Sequence, residues 1–233
     1  MGFRFSIGFS GRVQNMASNW NKQAELVEWG SDESLKPLQS LQENASQFFE
    51  RIQSRYGSAM KCRKGCSACC HVDLSLFESE AVRIVQWAIA LPDDERKALQ
   101  ERILEQPAET LGHDASGKIR PTCAALRNNE CVIYNARPVI CRTQGAPLQW
   151  KVSDANSDEK LYRDHCPLNF ADETTLPPLS ECLDLGKLTA LQSIAHIHWL
   201  QAKRNKSGAA PWPITQEGRV LLSDVVKVLV ELL

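Results

Sequence analysis

The chain has 233 residues, 43% of them hydrophobic, with 27 basic and 28 acidic side chains. A chain of this length buries enough apolar surface to fold without covalent cross-links, so its nine cysteines are not needed as a disulfide framework. The formal net charge of −1 provides no general field that would attract a polyanion. We therefore expect neither nucleic acid nor an anionic membrane surface as a partner.

The sequence also bears on the compartment. Residues 1–11 contain no continuous apolar segment of the kind found in secretory leaders. The most hydrophobic stretch, residues 220–233, is interrupted by Ser223, Asp224, Lys227 and Glu231, so it is not expected to span a membrane. We expect a cytoplasmic protein, in which thiols stay reduced, and the odd number of cysteines agrees with this expectation.

Apolar residues three and four positions apart predict helices at both ends of the chain. The first helix should begin near Pro37 and end near Gly57, and its apolar stripe consists of Leu38, Leu41, Ala45, Phe48 and Ile52. The same periodicity recurs after a predicted capping box at Ser75 and Glu78, after Pro92, and over residues 188–198 and 222–229.

Glycine and proline interrupt the pattern between residues 111 and 178, and no convincing series of alternating strands is visible there. The predicted fold class is therefore mainly α, with helices at both ends around a loop-rich, metal-organised cysteine centre. We expect an irregular N-terminal segment over residues 1–33 and a single domain over residues 34–233. Within that domain, the cysteine-cluster core should occupy residues 57–167 and the C-terminal helices residues 183–233.

Eight of the nine cysteines form a dense two-part pattern. The first four have the spacing C-x3-C-x2-C-C, and the complete set is Cys62, Cys66, Cys69, Cys70, Cys123, Cys131, Cys141 and Cys166. So many thiols at such spacing indicate metal ligands, either for zinc or for iron, with an iron–sulfur cluster as one form of the latter. Spacing alone does not decide between these metals.

Several neighbours of the cluster have candidate roles. Cys69 and Cys70 are adjacent, and in extended backbone their side chains would point to opposite sides, so they would serve two metals or a polynuclear centre. Arg137 and Arg142 are candidates for compensating the thiolate charge. His71, His165 and the isolated Cys182 are alternative ligands; their role is left open. The C-x3-C-x2-C spacing also occurs in radical S-adenosylmethionine enzymes, but Ala68 replaces the aromatic residue usual before the last cysteine.

The second part of the pattern carries a family resemblance. Cys131 is followed by Tyr134, the Arg137-Pro138 pair and Cys141-Arg142, and the segment ends at Cys166-Pro167. Together with the C-x3-C-x2-C-C run, this order closely resembles the YkgJ-type cysteine-cluster family, whose members are described as zinc- or iron-chelating proteins.

The resemblance implies a bacterial protein that chelates zinc or iron through these eight cysteines. Family members are also described as iron–sulfur oxidoreductases, and the domain occurs in flagellin lysine N-methylases. Two alternative functions therefore stay open, an iron–sulfur redox or methyltransferase-related enzyme and a protein-binding module with purely structural zinc. No catalytic residue, substrate or protein partner is predicted, and no organic cofactor.

Overall fold

In the computed structural model, the described residues are 32–105, 110–153, 159–171, 176–203 and 210–233. Six α-helices lie in these ranges: α1 (Lys36–Tyr56), α2 (Glu78–Ile89), α3 (Asp93–Leu104), α4 (Val139–Thr143), α5 (Leu185–Lys203) and α6 (Leu222–Leu232). The longer helices agree with the predicted periodic segments. Residues 1–31 of the predicted irregular segment 1–33 lie outside the described residues. The next residues, Asp32–Ser34, form a 3₁₀ turn.

Nine short strands lie between and beside the helices: β1 (Ser75–Phe77), β2 (Leu111–His113), β3 (Ile119–Pro121), β4 (Leu126–Arg127), β5 (Glu130–Cys131), β6 (Leu148–Ser153), β7 (Glu159–Asp164), β8 (Leu183–Asp184) and β9 (Arg219–Leu221). They form antiparallel pairs β1–β9, β2–β3 and β4–β5 and a three-stranded sheet in the order β7-β6-β8, in which β8 is parallel to β6.

The prediction of a mainly α fold is wrong. About 52% of the described residues are helical and 16% are in strands, which makes the fold mixed α/β. Seven of the nine strands have only two or three residues, too few for a period of two to be recognised in the sequence. The β7 strand is exposed along its whole length, so it carries no alternating apolar pattern.

Helix α2 occupies the centre of the main hydrophobic core and contacts α3, α5 and α6. Eight of its twelve residues are buried, because it is covered on several sides. The strand that precedes it, β1, pairs with β9, which directly precedes α6. This pairing joins two parts of the chain that lie more than 140 residues apart.

The start of α2 differs from the predicted capping box. Ser75 lies in β1 and pairs with Leu221, so it does not cap the helix. The helix begins at Glu78, and the carboxylate of Glu80 accepts a hydrogen bond from the backbone N–H of Phe77. The N-cap is Phe77 and not Ser75, so the helix starts two residues later than predicted, after the strand that pairs with β9.

The expectation of a metal-organised centre is also wrong. Within the described ranges, no group of three or more His, Cys, Asp or Glu side chains is placed so as to hold a metal ion. A hydrophobic core contributed by the helices and by the residues around Ala125 and Ile133 orders the centre instead. None of the helices in the described ranges is both long and apolar enough to span a bilayer.

Candidate metal-binding region

The first cysteine run follows α1 directly and is folded by two tight turns. Gly57 ends the helix with a positive φ of 34°. Gly65, at φ 85°, forms the next turn, in which the Cys66 N–H donates to the Arg63 carbonyl at 3.0 Å. Only glycine adopts such φ values without strain. The C-x3-C spacing therefore contains the residue that the turn between Cys62 and Cys66 requires.

The vicinal pair lies in a 3₁₀ turn, Ala68–Cys70, so the premise of extended backbone is wrong. The two neighbouring thiols are coupled, which lowers the pKa of Cys69 and raises that of Cys70, and burial raises the pKa of Cys70 further. Cys69 is exposed, and it is the better thiolate donor of the two.

The second set is joined to the first through the backbone. The N–H of Cys123 donates to the carbonyl of Cys70 at 2.8 Å. The β4–β5 hairpin then reverses the chain at Asn128 and Asn129, both at positive φ, as a two-residue hairpin turn requires. This turn brings Cys131 back beside the segment that carries Cys123.

Arg127 fixes this hairpin to the end of α3. Its buried guanidinium donates to the carbonyls of Ile103 and Glu105 at the helix C-terminus, at 2.7 and 2.6 Å. It also donates to the carbonyls of Ala124 and Leu126. A cation among the last carbonyls of a helix is favourable, so the strands carrying the cysteines are fastened to the core.

Cys141 lies in α4, and the buried Glu80 holds the beginning of that helix. Its carboxylate accepts the N–H of Val139 at 2.9 Å and the side-chain amide of Gln192 at 2.9 Å. Burial raises the pKa of Glu80, although these donors favour its ionised form. Helices α2, α4 and α5 therefore meet at the Glu80 carboxylate.

Asn169 organises the other end of the region. It is fully buried, and its side-chain oxygen accepts the Lys61 N–H at 2.7 Å. Its Nδ2 donates to the Gly145 carbonyl at 2.7 Å and lies 3.3 Å from the Cys62 sulfur. Its own N–H donates to the carbonyl of Cys166. Asn169 thus connects Cys62, through its side-chain amide, with Cys166, through its backbone N–H, although the two cysteines lie 104 residues apart.

Electrostatic coupling divides the eight thiols into two overlapping groups. Burial raises the pKa of Cys62, and the neighbouring Cys166, Cys66 and Cys69 raise it further. Burial likewise raises the pKa of Cys141, with further contributions from Cys123, Cys131 and Cys69. Cys69 belongs to both groups, and all nine cysteines of the chain are free thiols.

The two arginines differ in their surroundings. Arg137 lies over the Tyr134 ring at 3.6 Å, and its charge lowers the pKa of Cys69 and opposes the rise at Cys131. Arg142 donates to the carbonyls of Arg137 and Asn135 and to the Ser46 hydroxyl of α1. Charge compensation therefore fits Arg137, whereas Arg142 mainly fastens the turn before α4 to α1.

The remaining candidates lie at the margin. Cys182 is buried and contacts Arg163 at 3.4 Å, apart from the eight. His165 packs edge-on against Phe170. The Nδ1 atom of His71 is buried and has no hydrogen-bond partner in the described ranges. Sequence reasoning missed Asn169, Gly145, Glu80 and Arg127, because none of them is part of the cysteine motif.

The donor chemistry of the region fits zinc or iron, because thiolates are the preferred ligands for both in cysteine-rich sites. The described side chains do not yet converge on one point, as no group of three is placed to hold an ion. Each sulfur can move from one staggered position to another by rotation about χ1, without movement of the backbone. Such a rotation leaves the hydrogen-bonded backbone around the thiols unchanged.

Comparison with known proteins agrees with this donor set. Residues 61–167 match the family model CxxCxxCC, described as a putative zinc- or iron-chelating domain. Searches of curated proteins and of solved structures found no significant match. The matched range begins one residue before Cys62 and ends one residue after Cys166, so it contains all eight cysteines. Over residues 61–167, the chain is therefore similar to zinc- or iron-chelating domains, in agreement with the resemblance that its motif indicated.

Proposed function

We propose that the protein chelates zinc or iron through the thiolates of Cys62, Cys66, Cys69, Cys70, Cys123, Cys131, Cys141 and Cys166. The observation that carries this proposal is the backbone hydrogen bond from Cys123 to Cys70, which joins the two distant cysteine sets within the stretch that matches a zinc- or iron-chelating domain. The mutual effects of these thiols on their pKa values support a shared site.

The coupling of the thiols in two groups that share Cys69 supports more than one metal position. The first group has Cys62, Cys66 and Cys166, and the second has Cys70, Cys123, Cys131 and Cys141. Bound zinc or iron would supply Lewis acidity there, and iron would also supply redox chemistry. The chain's own residues hold the sulfurs in place and, through Arg137, offset part of their negative charge.

Anaerobic purification without a nickel column, followed by quantitation of zinc, iron and acid-labile sulfide, tests the proposal. We expect at least about one metal ion per chain, and sulfide accompanies the iron if a cluster is present. Cys141→Ser should reduce the metal content, whereas Cys182→Ser, outside the site, should leave it unchanged. Less than one ion per chain, or equal losses in the two variants, would contradict the proposal.

The same preparation distinguishes chelation from a purely structural metal. The helical core is assembled from apolar residues, so we expect a chelator to remove the metal while the far-ultraviolet circular dichroism stays unchanged. Unfolding on chelation would favour the module with structural zinc.

We also propose that residues 34–233 form one domain, supported by the β1–β9 pairing, and that the protein acts in the cytoplasm, where thiols remain reduced.

A further inference from the structure

A cavity of about 420 Å³ opens beside the cysteines. Its volume lies in the range of small-molecule sites, about 300–1,000 Å³. Six of the eight thiols border it: Cys66, Cys69, Cys70, Cys123, Cys131 and Cys141. Even two ions, each bound at about 2.3 Å from its sulfurs, fill only a part of such a space. The cavity is therefore larger than metal binding requires.

Apolar side chains form the rest of the wall. Leu126, Ile133 and Leu222 are buried core residues that reach the cavity, and Leu74 and Ile140 are half-buried there. Apolar walls of this kind exclude water and bind the hydrocarbon part of a ligand.

The charged side chains that line the cavity are mainly basic. Glu130 is the one carboxylate among the described lining residues, and it pairs with Lys64 at 3.1 Å and lies 3.6 Å from Arg102. Arg63 forms no side-chain hydrogen bond or ion pair with the described residues, and Arg137 contacts the ring and carbonyl of Tyr134 but no carboxylate. Two guanidinium groups thus remain available to an anion.

We propose that this cavity binds a small organic anion with an apolar body, such as a medium-chain carboxylate, next to the thiols. Arg137 and Arg63 bind the carboxylate, and the Leu74, Ile133 and Leu222 side chains contact the chain. The inference rests on the proposed function for its biological meaning, since the ligand would lie within reach of a metal held by the cysteines. The binding itself is measurable with or without the metal.

Isothermal titration of the purified full-length protein with octanoate, octanol and octylamine tests the proposal. We expect octanoate to bind with a Kd below about 1 mM and at least about tenfold more tightly than the other two. Arg137→Gln should weaken octanoate binding about tenfold and leave the binding of octanol unchanged. Arg51→Gln, the same change on the distant face of α1, should have no effect. Equal binding of the three probes, or no binding of octanoate, would overturn the proposal.

Metal content measured on each titrated sample separates the two proposals. A protein with at least one metal ion per chain that ignores octanoate would retain the proposed function and lose the cavity inference. A metal-free protein that binds octanoate through Arg137 would retain the cavity inference and lose the proposed function. Circular dichroism of Arg137→Gln verifies folding, and Arg63→Gln provides a second, exposed variant with the same expected loss.

Discussion

The side-chain amide nitrogen of Asn169 lies 3.3 Å from the sulfur of Cys62, while the Asn169 side-chain oxygen accepts the N–H of Lys61. The first cysteine of the motif and the residue before it are thus both held by a buried amide that comes 107 residues later in the chain. Such an arrangement orders the backbone around Cys62 before any ligand arrives, which lowers the entropic cost of binding.

Replacing Asn169 should therefore damage both the fold and the site. Asn169→Leu has a similar volume but leaves the Lys61 N–H and the Gly145 carbonyl unpaired, so we expect a loss of about 2–4 kcal/mol in the free energy of unfolding. Urea titration measures this loss. Asn135→Leu, at an exposed position, is the control and should change stability by less than about 0.5 kcal/mol. Similar values for the two variants would contradict the role of the Asn169 amide.

Gly145 provides a second test of the packing around Cys62. It has φ 92°, and an added Cβ would lie 2.5 Å from the Cys62 sulfur. Gly117, at φ 80°, has open space around its Cβ position. Gly117→Ala should therefore cost only backbone strain, about 1–2 kcal/mol, and Gly145→Ala should cost more because of the clash.

The double variant Cys62→Ala with Gly145→Ala isolates the clash. With the sulfur removed, we expect the cost of Gly145→Ala, relative to Cys62→Ala alone, to fall towards that of Gly117→Ala, because of the close contacts only that with the Asn169 Nδ2 atom, at 3.0 Å, remains. Chemical denaturation of the four proteins gives the coupling energy. An unchanged cost in the double variant would mean that the sulfur does not restrict residue 145.

The sequence predicts the helices of this fold well and the strands poorly. Leu38, Ala45 and Ile52 repeat with helical spacing over about four turns, so α1 is recognisable locally. In contrast, Leu126 and Cys131 pair across strands of two residues, and Ser75 pairs with Leu221 from the far end of the chain. Such pairings depend on tertiary contacts that no local pattern contains.

The same distinction applies to the site. Eight cysteines are visible as a pattern because thiols are rare and densely spaced. The cysteine segments are held by Glu80, Arg127 and Asn169, which are common polar residue types. Each has hydrogen-bond partners far away in the sequence, and Arg127 has others in its own hairpin. Their role follows only from burial and from the hydrogen bonds that they make.

His196 predicts a pH dependence that originates away from the cysteines. It is buried between Phe77 and Trp199, its Nδ1 lies 3.1 Å from the Ser79 hydroxyl, and burial, with Arg219 and Lys203, lowers its pKa to about 4. Because the unfolded chain binds a proton near pH 6.5 and the folded one does not, stability is lost as the pH falls from 6.5 towards 4.

Between pH 7.5 and pH 5, this residue should account for at most about 2 kcal/mol of lost stability. Carboxylates titrate over part of the same range, so the measurement is the difference between the parent and His196→Gln in urea titrations at both pH values. The variant should lose less stability on acidification, whereas exposed His113→Gln should match the parent. A parallel loss in all three proteins would assign the pH dependence to other groups.

Arg127 connects the stability of the core to the position of Cys131. Its guanidinium donates to four carbonyls, at distances from 2.6 to 3.0 Å. Lysine keeps the charge but has one donor nitrogen, which cannot reach both the helix end and the hairpin. We therefore expect Arg127→Lys to cost about 2–4 kcal/mol in the free energy of unfolding, whereas Arg120→Lys, at an exposed position, should cost less than about 0.5 kcal/mol.

The Arg127→Lys variant should also expose the hairpin. Hydrogen exchange at the backbone N–H of Val132, which donates to the Ala125 carbonyl at 2.9 Å, should become faster, while exchange in the centre of α2 should follow global stability alone. This contrast separates a local from a global effect. A general loss of stability would lower the free energy of opening by the same amount in both regions. Uniform acceleration would mean that Arg127 stabilises the fold without specifically holding the strands that carry Cys131.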